Sequence, residues 1–125
     1  MKVLIFENEF YKVENAFKYV NQKYFNGILE FTVITKSQDF KNFNEVSNFD
    51  YVFLDISLAL KSDLDGFGIL KKIEDENIKI KKLIILTGNG DIKNKLNELG
   101  LKDYPIILKP VVFSRLYDHL NVVNN

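Results

Sequence analysis

The chain has 125 residues, 46% of them apolar, with 11 Phe, 6 Tyr, no Trp and no Cys. A single domain of that length buries about two-thirds of its unfolded surface and needs no covalent staple, and the missing cysteines exclude disulfides, thiolate zinc sites and thiol nucleophiles. Seventeen basic and seventeen acidic side chains cancel, which argues against a nucleic-acid binder that works through net charge.

Val3–Phe6 is a continuous apolar run, as expected of a strand buried on both faces. It is too short for the apolar segment of a signal peptide and runs straight into Glu7. No other run approaches the roughly 20 residues of a membrane span, so the expectation is a cytoplasmic protein with no membrane contact. Phe10, Val13, Phe17, Val20 and Tyr24 then recur at spacings of three and four, one face of a helix that Asn26-Gly27 ends. Ile28–Thr35 alternates and is β-branched, which predicts a second strand. Ser37 is placed to cap a short second helix with Phe40, Phe43 and Val46 on its apolar side.

Tyr51–Leu54 reads as a third buried strand, ending in Asp55, and the aperiodic stretch from Ile56 to Asp65 as a loop. Phe67, Leu70 and Ile73 mark a third helix beginning at Gly66. Leu83–Leu86 is a fourth strand, followed by Thr87 and the turn Gly88-Asn89-Gly90. Asp91 is placed to cap a helix through Ile92, Leu96 and Leu99 that Gly100 stops. Ile106–Leu108 is a fifth strand before Lys109-Pro110, and Phe113, Leu116, Leu120 and Val123 line a closing helix. Five strands alternating with five helices predict an α/β fold: a five-stranded parallel sheet in three layers, with right-handed crossovers.

Ligands of open parallel sheets bind beyond the carboxyl ends of the strands. Those ends carry Glu7-Asn8-Glu9, Asp55, Thr87 and Lys109. Carboxylate and amide oxygens suit Mg²⁺, which takes one or two carboxylates and keeps several waters. Asp55 is a candidate nucleophile toward phosphorus, Lys109 a counter-charge for the transferred group, and the Thr87 hydroxyl a donor to one of its oxygens. The charge split fits this picture. Residues 1–66 hold ten acidic and seven basic side chains, a net of −3, and residues 67–125 hold seven and ten, a net of +3. Simpler roles exist for each residue: Asp55 or Asn8 as a cap or turn residue, and Thr87 as a β-branched strand residue. The lysines at 71, 72, 79, 81 and 82 read as a solvated face, and His119 as a surface residue.

The segments VLIFENE, YVFLDISL, LIILTG and LKP, each closing a predicted strand and in this order, resemble the receiver domain of two-component response regulators. The resemblance runs over about residues 2–123 and implies a CheY-like, flavodoxin-like (βα)5 fold occupying 1–125 as a single domain, with no output domain in this chain. It implies that Asp55 accepts a phosphoryl group from a partner histidine kinase or phosphotransfer protein. It also implies that Glu7, Asn8, Asp55 and the backbone carbonyl of Ser57 hold Mg²⁺, that Thr87 and Lys109 contact the phosphoryl group, and that Lys109-Pro110 is cis. Such a chain is a phosphoprotein and not a turnover enzyme. It catalyses only its own phosphorylation and dephosphorylation, signals to a downstream protein, needs no nucleic acid of its own, and is a monomer or weak dimer.

Four features depart from the family pattern. Asn8 stands where an acid is usual. Gly66 lies eleven residues after Asp55 where the family has eight, with Ala59 near the usual proline, so a three-residue insertion brings Lys61, Asp63 and Asp65 near the site. Ile106 occupies the usual aromatic switch position three before the lysine, with Tyr104 two residues earlier as the other candidate. Only Asn124-Asn125 follows the closing helix. Asn8 and the long loop motivate an alternative, a pseudo-receiver that binds partners without phosphorylation; another is the excised N-terminal receiver of a longer DNA-binding regulator. A haloacid-dehalogenase-type hydrolase is disfavoured, because Ser57 stands where its second aspartate is required. A flavodoxin is disfavoured because Glu-Asn-Glu replaces a phosphate loop after the first strand.

Overall fold

The structure is a computed structural model describing residues 1–58 and 62–122; Ala59, Lys61, Val123, Asn124 and Asn125 of the sequence reading lie outside the described residues. Five strands form one parallel sheet: β1 (Lys2–Phe6), β2 (Glu30–Ile34), β3 (Tyr51–Asp55), β4 (Leu83–Thr87) and β5 (Ile106–Leu108), in the order β2-β1-β3-β4-β5. Four α-helices join them: α1 (Glu14–Phe25), α2 (Gly66–Asp75), α3 (Ile92–Glu98) and α4 (Phe113–Val122).

Successive strand residues face opposite sides of a sheet, and here both sides are covered. Leu4, Phe6, Val52, Leu54 and Ile85 pack with α2 and α3 through Ile69, Leu70, Ile73, Ile92 and Leu96. Val3, Ile5, Tyr51, Phe53, Ile84 and Leu86 pack with α1 and α4 through Phe17, Val20, Leu116 and Leu120. That is why the strands read as unbroken apolar runs. Phe17 meets Phe53 edge-on at 5.0 Å between ring centroids, tying α1 to the sheet centre. The Tyr51 hydroxyl donates to Leu120 O at 2.9 Å, so its burial beneath α4 leaves no orphaned polar atom.

The predicted second helix is not α-helical. The β2–β3 connection is instead two 3₁₀ segments, Ser37–Asp39 and Phe43–Asn48. Its apolar side chains fall at 40, 43, 46 and 49, a strict repeat of three that matches three residues per turn. Asn42, Asn44, Ser47 and Asn48 also disfavour an α-helix. Asn42 rather than Ser37 supplies the cap, accepting from Asn44 N at 3.1 Å. Ser37 is buried and serves another purpose: Leu64 N donates to its Oγ at 2.9 Å, and its own N donates to Ser62 Oγ at 2.8 Å. Together with Asp63 N donating to Gln38 Oε1 at 2.9 Å, this clasp fastens the long loop after β3 to the loop after β2.

Phe10 sits on a separate 3₁₀ turn, Phe10–Lys12, ahead of α1, and β2 is shorter than the predicted Ile28–Thr35. Asn26 and Gly27 end α1 with φ of 51° and 76°, and Gly100 follows α3 with φ 70°. Asp65 caps α2, its Oδ1 accepting from Gly68 N at 2.8 Å. Asp91 precedes α3 but does not cap the backbone; its Oδ1 accepts from the Asn94 side chain at 2.6 Å.

β2 and β5 are the sheet's edges. β5 lies between Pro105 and Pro110, the chain's two prolines. Ile85 N donates to Pro105 O at the start of this strand, and Lys109 N donates to Thr87 O at its end, both at 2.8 Å. Among the described residues no helix is long and apolar enough to cross a membrane.

Candidate functional site

Parallel register brings the carboxyl ends of β1, β3, β4 and β5 to one side of the sheet, and with them Glu7, Asp55, Thr87 and Lys109. Glu7, Asp55 and Thr87 are buried, at 0%, 2% and 1% exposure. Lys109 reaches over from β5: its Nζ lies 2.6 Å from Glu7 Oε1 and 3.4 Å from Asp55 Oδ1. The halves of opposite charge therefore meet here, two carboxylates from the first and one ammonium from the second. Asp55 Oδ1 also accepts from Ser57 N at 3.0 Å, and Glu7 Oε2 from Glu9 N at 3.2 Å.

Asn8 stands between the two carboxylates. With its amide nitrogen turned inward it donates to Glu7 Oε2 at 3.1 Å and to Asp55 Oδ2 at 3.0 Å; with its oxygen inward it faces only acceptors. The pocket still carries one negative charge in excess. Burial, followed by the neighbouring Asp55 carboxylate, pushes the Glu7 carboxyl above its ordinary range, against the pull of Lys109 and the Glu9 N–H. Lys109 is the partner of the buried Glu7 Oε1, as an ion pair at 2.6 Å.

Thr87 Oγ1 accepts from Asn89 N at 3.0 Å, so the hydroxyl proton is available to a group outside the turn. The Asn89 contact has no sequence signature beyond the turn itself. Gly66 is a second residue whose role composition does not reveal. A Cβ there would sit 2.4 Å from Ile56 Cα and 2.8 Å from both Asp55 O and Ile56 O, so only glycine lets α2 start against the end of β3.

Other sequence candidates lie elsewhere. Glu9 turns to solvent, pairing with Lys12 at 2.9 Å and accepting from the Tyr11 hydroxyl at 3.1 Å. Asp65 is occupied as a helix cap and Asp63 is exposed. Tyr104 does not stand beside Thr87: it precedes β5, and its hydroxyl donates to Glu74 Oε2 of α2 at 2.6 Å. Ile106 occupies the first position of β5, paired with Ile85, so the position three before Lys109 holds an aliphatic side chain. The Lys109-Pro110 bond is cis.

No protein-family model matches the sequence, and no curated protein matches it. Solved structures do. The signal receiver domain of a DNA-binding response regulator from Colwellia psychrerythraea 34H is 19% identical, with 100% of this chain and 99% of that one covered at a TM-score of 0.75. The receiver domain of a Francisella response regulator is 21% identical, with 98% and 94% covered at 0.69. The fold is that of a receiver domain. A third receiver domain, from a Pseudomonas aeruginosa sensor histidine kinase, is 18% identical, with 99% and 98% covered at 0.73, and is described with a magnesium ion coordinated in its active-site cleft. Receiver folds thus occur in both regulators and kinases, and the likeness at these identities is one of backbone.

The donor set here fits a magnesium ion. Among the described residues no three His, Cys, Asp or Glu side chains cluster to hold a metal, but Mg²⁺ asks for only one or two carboxylates and retains waters. Two buried carboxylates facing a single ammonium leave a charge for a cation to neutralise.

Proposed function

We propose that this receiver accepts a phosphoryl group on Asp55 from the phosphohistidine of a sensor kinase or phosphotransfer protein. The reading rests above all on one observation: Lys109 spans Glu7 and Asp55 at the carboxyl end of the sheet. A carboxylate oxygen of Asp55 forms the new O–P bond, and the P–N bond breaks with its electron pair returning to the imidazole nitrogen. No other co-reactant is needed. Glu7, Asp55, the Asn8 amide oxygen and the Ser57 carbonyl are the groups that would hold Mg²⁺, whose chemistry is to neutralise charge on phosphoryl oxygens.

Lys109, already at ion-pair distance from Asp55, takes up the charge that arrives with the phosphoryl group. Thr87 donates its hydroxyl proton to a phosphoryl oxygen, and the Asn89 N–H bound to its oxygen carries the Gly88–Gly90 turn with it. Leu108, Val112 and Phe113 are exposed beside Lys109, so this movement alters an apolar face offered to a downstream protein. On this reading the chain turns over only its own phosphoryl group, and a cytoplasmic location goes with a phosphohistidine donor.

The test is mass spectrometry after incubation with Mg²⁺ and acetyl phosphate. The expected result is a gain of one phosphoryl group in the wild type and none in Asp55→Asn. A wild type that gains no mass under these conditions and binds no beryllofluoride overturns the proposal.

A further inference from the structure

The two carboxylates of the site are linked twice. Lys109 joins Glu7 Oε1 to Asp55 Oδ1, and in the orientation that its acceptor-only surroundings require, the amide nitrogen of Asn8 joins Glu7 Oε2 to Asp55 Oδ2. All four carboxylate oxygens thus belong to one closed ring. An amide NH₂ has two N–H donors and no acceptor capacity. The contacts at 3.1 and 3.0 Å are ordinary hydrogen-bond lengths, so the group is used to capacity. An aspartate in the same place would offer acceptors only, and would add a third negative charge to a pocket that already has one in excess.

We propose that Asn8 is a resident stand-in for the cation: its NH₂ bridges Glu7 and Asp55 in the metal-free protein, and the same side chain must turn about its terminal bond to present its oxygen when Mg²⁺ binds. The resting site is therefore held closed without metal, and Mg²⁺ competes with an internal ligand. Metal affinity falls, while metal-free stability rises. Only the magnesium half rests on the proposed function; the bridge itself requires neither metal nor phosphoryl group.

The experiment compares wild type, Asn8→Asp and Asn8→Ala by thermal unfolding in EDTA and in a series of Mg²⁺ concentrations. In EDTA both variants should unfold at lower temperature than the wild type. With Mg²⁺ the order should reverse for Asn8→Asp, which binds the ion at least tenfold more tightly than wild type, whereas Asn8→Ala should gain no affinity. In the wild type itself, the Asn8 side-chain NH₂ resonances should show slowed exchange in EDTA and lose that protection as Mg²⁺ saturates, an observation that needs no variant to fold. Variants as stable as wild type in EDTA, or an Asn8 NH₂ that exchanges freely there, overturn the bridge. Equal Mg²⁺ affinity in wild type and Asn8→Asp overturns the competition. Failure of Asp55 to accept a phosphoryl group leaves the EDTA results unchanged, so the two proposals fail separately.

Discussion

Gly66→Ala is the substitution for which the structure gives the firmest magnitude. The added Cβ would lie 2.4 Å from Ile56 Cα and 2.8 Å from two carbonyl oxygens. Carbon atoms rest at about 3.5–4.0 Å, so α2 and the end of β3 must separate by roughly 1 Å, and every obstructing atom is backbone. Overpacking of this kind costs about 1–3 kcal/mol, and the helix gain from alanine, about 0.5–1 kcal/mol in a helix interior, is smaller at a first helical residue. A net loss of about 2 kcal/mol follows. At about 2.1 cal/mol/K per residue, that lowers the midpoint of a chain this long by about 8 °C. Gly68→Ala is the internal control. Its Cβ meets Leu64 Cβ and Cδ2 at 3.2 Å and Asp65 Oδ1 at 3.4 Å. Leu64 Cδ2 can rotate away and Leu64 Cβ need yield only a few tenths of an ångström, so the change should stay within about 0.5 kcal/mol. Urea denaturation followed by circular dichroism measures both. If Gly66→Ala unfolds within error of Gly68→Ala, the close approach of α2 to Ile56 is not a packing constraint and the reasoning fails.

Two further substitutions probe contacts away from the strand ends. Ser37→Ala removes the acceptor for Leu64 N–H and should cost about 1 kcal/mol; the matching readout is hydrogen exchange at the Leu64 amide, roughly 5-fold faster, and an unchanged rate would show that the clasp does not hold the loop. Tyr104 is held protonated well above the ordinary tyrosine range by burial and then by its bond to Glu74. Above pH ~10, where an unfolded tyrosine ionises, the native state binds more protons than the unfolded one, so stability falls with rising pH. Tyr104→Phe should be less stable than wild type at pH 8, by about 1 kcal/mol, and the gap should narrow between pH 10 and 11; a gap that stays constant would refute the assignment.

What the sequence made legible was decided by burial. β1, β3 and β4 are covered on both faces, so their apolar runs are unbroken and their ends can be read to within a residue, which located Glu7, Asp55 and Thr87. Lys109 stood out because a cation after a buried strand requires a partner, and it has two. The β2–β3 connection was misread because apolar spacing of three is shared by 3₁₀ and α segments; the absence of any four-residue step was the overlooked signal. Ser37 looked like a cap because a cap is a local feature, whereas its partners Ser62 and Leu64 lie 25 and 27 residues away. Tyr104 and Glu74 are 30 residues apart, and no local pattern joins them. The Asn8 bridge depends on which end of an amide faces inward, a property only its neighbours determine.

The two prolines around β5 have a consequence for solubility. An open strand edge is a template on which another chain can extend the sheet. Pro105, Ile107 and Lys109 direct their backbone groups toward β4, so only Ile106 and Leu108 present N–H groups outward along this strand. The next outward position is Pro110, which has none to offer. Two donors are too few to seed a stable pairing, even though Leu108 itself is exposed. The chain can therefore expose Leu108 beside Lys109 without β5 recruiting copies of itself into a growing sheet.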